Sequence, residues 1–109
     1  MGYDIHITRA EHWAENQGRE ITAEEWLAFV EKDSELKIDA ANGEHFAIWS
    51  GDSGAPLAWF EWFAGDVATK NPDEETIEKA VNIAKHFNAK VQGDDGEIYP
   101  GGGKEPYYE

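Results

Sequence analysis

Few residues of this chain are spaced as a catalytic site requires. Its four histidines, His6, His12, His45 and His86, are scattered along the sequence. Ser53 lies in the tetrapeptide Gly-Asp-Ser-Gly, and as a nucleophile it would need a histidine base and a buried aspartate converging on it. Gly, Asp and Ser are also the residues that turns use. We therefore interpret the tetrapeptide as a turn and predict no catalytic residue and no enzyme activity.

Metal and cofactor signatures are equally weak. The chain has no cysteine, and no two histidines have the helical spacing of a zinc motif. Residues 94–97 lack the alternating acids of a calcium loop, and no glycine-rich phosphate-binding loop is present. His6, beside Asp4 and Thr8 on one strand face, is the one suggestive arrangement; a histidine hydrogen-bonded across a sheet is the alternative. We predict no metal and no cofactor.

Acidic residues outnumber basic ones along the whole chain. The 109 residues include 23 Asp and Glu against 9 Lys and Arg, a formal net charge of −14. Residues 1–55 carry −8 and residues 56–109 carry −6, so the folded surface rather than a tail is acidic. Such a surface disfavours nucleic acid and anionic membranes as partners. The charge indicates a basic protein partner, with solubility as the alternative explanation.

Length and hydropathy bound the organisation of the chain. A chain of 109 residues predicts a single domain over 1–109, and the glycine-rich residues 101–109 are expected to be a flexible tail. No apolar run approaches the ~20 residues of a membrane span. The first residues have no signal-peptide pattern, and the lack of cysteine fits a reducing compartment. We expect a cytoplasmic protein.

Hydrophobic spacing predicts two helices among several short strands. Alternating apolar residues predict strands at 3–9, 37–39, 45–50, 57–64, 67–70, 89–92 and 97–99. A capping box from Thr22 to Glu25 begins a helix over 23–32, and Asn71-Pro72 begins a second helix. Strands in this order form a meander. We predict an α+β fold: a two-layer sandwich with a mostly antiparallel sheet and both helices on one face.

Aromatic side chains are expected on both faces of this sheet. At strand spacing Phe60 and Trp62 point one way, whereas Trp59 and Phe63 point the other. Because the helices cover one face, the second face is open unless the loop 10–20, the tail or a second copy covers it. An open face with aromatic anchors and acids nearby describes a protein-binding surface. The predicted partner-binding residues are Asp4, His6, Trp59, Glu61 and Phe63. The alternative is that Trp59 belongs to the core.

Four stretches together carry a family resemblance: Tyr-Asp-Ile-His-Ile-Thr-Arg at 3–9, Ile-Thr-Ala-Glu-Glu-Trp at 21–26, Thr-Lys-Asn-Pro-Asp-Glu-Glu-Thr-Ile at 69–77 and Val-Gln-Gly-Asp-Asp-Gly-Glu-Ile-Tyr at 91–99. They resemble a group of small acidic bacterial proteins, some of which act as immunity proteins in interbacterial toxin systems. The resemblance implies a cytoplasmic, non-catalytic protein that binds a cognate toxin domain. It assigns no residue a role.

The sequence is compatible with three functions. We expect first an immunity protein that neutralises a basic toxin effector domain through an acidic, aromatic surface. The second is an acidic polyanion or DNA mimic that inhibits a nucleic-acid-binding enzyme, which predicts carboxylates at phosphate-like spacing and little need for aromatics. The third is a small ligand-binding or enzymatic domain centred on Asp4, His6 and Glu61, which predicts a concave pocket with a perturbed titration.

Overall fold

The computed structural model describes residues 3–50 and 56–99, in which six strands form one sheet and two helices pack against it. The strands are β1 (Asp4–Thr8), β2 (Leu36–Ile38), β3 (Phe46–Ser50), β4 (Pro56–Phe63), β5 (Asp66–Lys70) and β6 (Lys90–Gly93). The helices are α1 (Ala23–Lys32) and α2 (Glu74–His86). The strand order across the sheet is β2-β3-β4-β5-β1-β6, with all neighbours antiparallel. The predicted α+β class is confirmed, while residues 51–54 and 101–109 lie outside the described ranges.

The core lies between the sheet and both helices. Ile5 and Ile7 of β1 and Phe60 of β4 point towards the helices and are at most 1% exposed. Trp26 of α1 and Ile83 of α2 meet them from the helical layer and are fully buried. Both helices therefore cover the same face, as the sequence predicts, and they leave the other face of the sheet to be covered by something else.

Local capping determines where each helix begins. The predicted capping box of α1 is present: Thr22 Oγ1 accepts from Glu25 N at 3.0 Å, and Glu25 Oε1 accepts from Thr22 N at 2.9 Å. In α2 the cap is Asp73 rather than the predicted Asn71, because Asp73 Oδ1 accepts from the amide three residues on at 2.9 Å. Asn71 adopts φ = 50° instead, and its Oδ1 accepts from Tyr3 N. Within the described ranges, neither helix is long and apolar enough to cross a membrane.

The hairpin between β4 and β5 turns one residue earlier than predicted. Phe63 pairs with Asp66, so the two loop residues are Ala64 and Gly65, with φ of 51° and 95°. Positive φ at both positions gives the twist that two-residue hairpins favour. Asn16 Nδ2 donates to the carbonyl of Ala64 at 2.7 Å, so this turn also anchors the loop after β1.

Lys79 of α2 makes tertiary ion pairs, although Glu75 lies four residues before it on the same helix, at the spacing of a favourable local pair. Its Nζ donates to Asp33 Oδ2 at 2.8 Å and to Glu35 Oε1 at 2.9 Å. The Lys79 side chain is only 11% exposed, and two carboxylates compensate its buried charge better than one solvated i,i+4 partner. Trp49 Nε1 donates to the same Glu35 carboxylate. The contact ties α2 to the connection between α1 and β2.

Candidate functional site

All five residues predicted to bind a partner lie on the sheet face turned away from the helices. They are Asp4, His6, Trp59, Glu61 and Phe63. In the register of the sheet, His6 pairs with Ala68 and Ala68 pairs with Glu61, which places the three in one row across β1, β5 and β4. Trp59 and Phe63 flank Glu61 on the same face of β4. Their shared face is what the strand alternation predicts; their role in binding stays a prediction.

Residues 11–16, in the connection between β1 and α1, cover the half of this face that β1 and β6 form. The Trp13 ring stacks on the His6 ring with centroids 3.7 Å apart and planes 3° apart. Trp13 N donates to Gln92 Oε1 at 2.8 Å, and Gln92 Nε2 donates to Glu11 O at 2.7 Å. His6 is therefore only 7% exposed and lies beneath this cover rather than on a contact surface. The alternative that the loop covers the second face holds for this half.

The half formed by β3 and β4 has no such cover among the described residues; we call it the aromatic half. Phe63 is 80% exposed. Trp59 is partly buried and stacks on Phe46 of β3, with ring centroids 5.2 Å apart and planes 22° apart. Ile48 pairs with Trp59 across the two strands, and Glu61 pairs with Phe46. Trp59 thus lies outside the helix-side core, which answers the alternative raised for it.

A cavity of about 380 Å³ lies where the covered half meets the aromatic half, and its lining includes Asp4, His6, Trp13 and Phe63. Asp66 also lines it, with 8% of the residue exposed and an Oδ1 atom that receives no hydrogen bond from residues 3–50 or 56–99. Burial raises the pKa of Asp66, while hydrogen bonds from the side chains of Thr8 and Asn16 oppose the rise. The sequence pattern places Asp66 in the turn between two predicted strands and gives no indication that its side chain is buried.

Asp94, in the turn after β6, joins Asp4 and His6. Its Oδ1 lies 2.9 Å from His6 Nε2, and its Oδ2 accepts from Asp4 N at 3.0 Å. Burial alone would raise the pKa of the Asp94 carboxyl, but these hydrogen bonds outweigh it and lower the pKa. The predicted strand 97–99 reduces to a bridge between Gln92 and Ile98 that closes this turn. Asp94, rather than the predicted Glu61, is therefore the carboxylate that completes the group around His6.

A larger cavity, of about 590 Å³, opens beside α1 and the end of α2. Arg9, which lines it, is already paired: its guanidinium donates to both carboxylate oxygens of Glu25, at 3.0 and 2.8 Å, and to Phe87 O at 2.8 Å. The Arg9 guanidinium and the amide of Thr22 hold the pKa of Glu25 at about 2. A bidentate pair of this kind stabilises the fold and leaves little of the Arg9 charge for a ligand.

Comparisons with protein-family models, with curated proteins and with solved structures found no match.

Proposed function

We propose that this chain is a non-catalytic, cytoplasmic immunity protein that neutralises a basic toxin domain by binding it with the aromatic half of its sheet. The strongest support is Phe63, a large aromatic side chain that is 80% exposed on the aromatic half of the sheet, in a protein with a net charge of −14. Exposed aromatic anchors within an acidic surface are what a basic protein partner would recognise.

The aromatic half has the composition of an interface centre. Phe46, Ile48, Trp59 and Phe63 bring apolar surface together from two neighbouring strands. Interface centres are enriched in aromatic residues and depleted in charge, and a few such anchors carry most of the binding energy. The acidic remainder of the molecule would supply the long-range attraction that guides a basic partner to this patch.

The same positions argue against a polyanion mimic. A mimic of a phosphate backbone needs carboxylates repeated along its surface, because the partner's lysines and arginines are arranged for phosphates. On the open face of β3 and β4, the carboxylate of Glu61 is surrounded by aromatic side chains rather than by other acids. Phe46 pairs with Glu61 across the two strands, and Trp59 and Phe63 lie on either side of it along β4. A protein partner with its own apolar contact surface fits this pattern better.

A small ligand-binding domain is the second candidate, and the cavity beside Asp66 favours it. That hypothesis predicts a concave pocket with a perturbed titration, and the buried Asp66 carboxyl lines such a pocket. The substitution Asp66→Asn separates the two candidates, since Asp66 lies beneath the surface. Neutralisation of a toxin should survive it, whereas recognition of a cationic small molecule should not.

The test pairs the chain with the toxin encoded next to it in its genome. The toxin is expressed in a bacterial host together with the wild-type chain, Phe63→Ala or Leu27→Ala, and growth is measured. Leu27 is the matched control because it is also an exposed apolar residue, 37% exposed, but it lies on α1. We expect the wild-type chain and Leu27→Ala to restore growth and Phe63→Ala to restore it poorly.

Binding kinetics distinguish long-range charge attraction, which affects the association rate, from direct aromatic contact, which affects the dissociation rate. Loss of an anchor worth about 2 kcal/mol should raise the dissociation rate of Phe63→Ala roughly 30-fold. Added salt should mainly slow association, since charge steering is screened beyond ~8 Å at physiological ionic strength. Equal protection by Phe63→Ala, or association that ignores salt, contradicts the proposal.

A further inference from the structure

Three potential metal ligands converge on the covered half of the open face. Asp4 and His6 are two residues apart on β1 and share a face. Pairing of Ile5 with Gly93 brings the turn after β6 alongside them, so that Asp94 lies next to both. One ligand atom from each of Asp4, His6 and Asp94 lies within 4.8 Å of the other two. The three are separated by up to 90 positions in the sequence, and the antiparallel pairing of β1 and β6 assembles them.

We propose that Asp4, His6 and Asp94 bind a divalent transition-metal ion of the Mn²⁺ or Zn²⁺ class. One imidazole nitrogen and two carboxylate oxygens form a mixed ligand set. Imidazole suits zinc and iron, and carboxylates suit manganese. Calcium and magnesium favour sites made of oxygen alone. Three protein ligands also leave coordination positions open towards the cavity that Asp4 and His6 line.

The ligands are held in place before any ion arrives. Trp13 stacks flat on the His6 ring, and Trp13 Nε1 donates to Asp94 O at 3.3 Å. The backbone amide of Asp4 donates to Asp94 Oδ2 and fixes that carboxylate. Supporting contacts that fix the orientation of a ligand are a regular feature of metal sites, and they lower the entropic cost of binding.

Negative charge at this position is only partly compensated by the residues that the structure describes. Among them, none donates a hydrogen bond to the buried Asp4 Oδ1, and its ion pair with Lys70 Nζ is long, at 3.8 Å, on a side chain that is 52% exposed. The adjoining cavity adds Asp66, which is more than nine-tenths buried and has one oxygen, Oδ1, without a hydrogen-bond partner among the described residues. Buried carboxylate oxygens without partners are costly, and a bound dication would compensate them.

The test is a titration of the full chain with Mn²⁺, observed by ¹⁵N NMR. Because the protein carries −14, it is done at about 150 mM NaCl with an excess of Mg²⁺, to suppress loose binding to the surface. Paramagnetic broadening should appear first at the Trp13 indole N–H and at the amides of Asp4, His6 and Asp94. A Zn²⁺ titration by calorimetry should give one ion per chain.

Two variants and one matched control make the titration specific. Asp94→Asn and Asp4→Asn each remove one charged ligand with little change of shape, and each should weaken binding at least ~10-fold. Asp95→Asn removes the same charge one position along the turn, at an exposed side chain. It should change the affinity by no more than about twofold. Circular dichroism shows whether each variant is folded. Because two ligand positions are substituted separately, the test still holds if one of these variants fails to fold.

An even, weak broadening over the acidic surface would mean an adventitious ion only and would overturn the proposal. Equal losses of metal affinity in Asp95→Asn and Asp94→Asn would also overturn the proposal. The titration uses no partner protein, so its result is independent of the toxin-binding proposal.

Discussion

Phe60 and Phe63 lie three residues apart on β4 and point to opposite faces of the sheet, so the same substitution should have very different effects on stability. A phenylalanine covers about 200 Å² when fully buried. Phe60 is 0% exposed, and Phe60→Ala should cost about 3–5 kcal/mol because it also leaves a cavity. Phe63 is 80% exposed. It keeps roughly 40 Å² covered, which at about 25 cal/mol per Å² gives about 1 kcal/mol for Phe63→Ala.

Urea denaturation of the wild-type chain and both variants measures this difference. The midpoint should fall strongly for Phe60→Ala and slightly for Phe63→Ala, with similar slopes. A loss of 3 kcal/mol or more in Phe63→Ala, or near-equal losses in the two variants, would refute the assignment of an uncovered aromatic half. A small loss at Phe63 also makes that variant suitable for binding experiments, because its effect on a partner would not be an effect on folding.

Three further predictions concern stability. Ala64→Asn should raise the free energy of unfolding by about 0.5–1 kcal/mol, seen as a higher Tm, because alanine is strained at φ = 51° and Asn-Gly suits this turn. Glu25→Gln should cost about 1 kcal/mol or less at pH 7, since the carboxylate is 40% exposed to screening solvent. That difference should persist above pH 4.5 and vanish as the pH falls to about 2, where the folded wild type protonates Glu25. Asp66→Asn should stabilise the protein at neutral pH, since burial raises the pKa of the wild-type carboxyl and its charged form is the unfavourable one. The advantage should disappear in acid, where the wild-type carboxyl is protonated, and denaturation at the two pH values measures the difference.

Local sequence patterns predict most of the secondary structure. The capping box around Thr22 gives the start of α1 at its observed residue, and the alternation in β1 and β4 gives the faces of Ile5, Phe60 and Phe63 correctly. These features depend on residues a few positions apart, which is the range over which periodicity and capping act. Competing local signals caused the error at Asn71, because Asn and Asp are nearly equal as caps and only the tertiary contact with Tyr3 distinguishes them.

The covered half of the open face depends on contacts that no local pattern encodes. Trp13 lies in a polar stretch without periodicity, yet it stacks on His6 once residues 11–16 fold over the sheet. The sequence around Asp94 indicates a turn, and only the pairing of β6 with β1 brings its carboxylate next to His6. Lys79 has a good local partner in the sequence and takes two distant ones in the fold. Long-range strand pairing decides each of these cases.

The binding surface itself is tested most directly by NMR chemical-shift mapping of the ¹⁵N-labelled chain with the neighbouring toxin domain. The shifts of bound and free protein are compared residue by residue over β3, β4, α1 and α2. We expect the changes to concentrate on β3 and β4, with Trp59 and Phe63 among the largest and the outer surfaces of both helices unaffected. Changes confined to α1 and α2, with β4 unmoved, would contradict the assignment of the aromatic half as the toxin-binding surface.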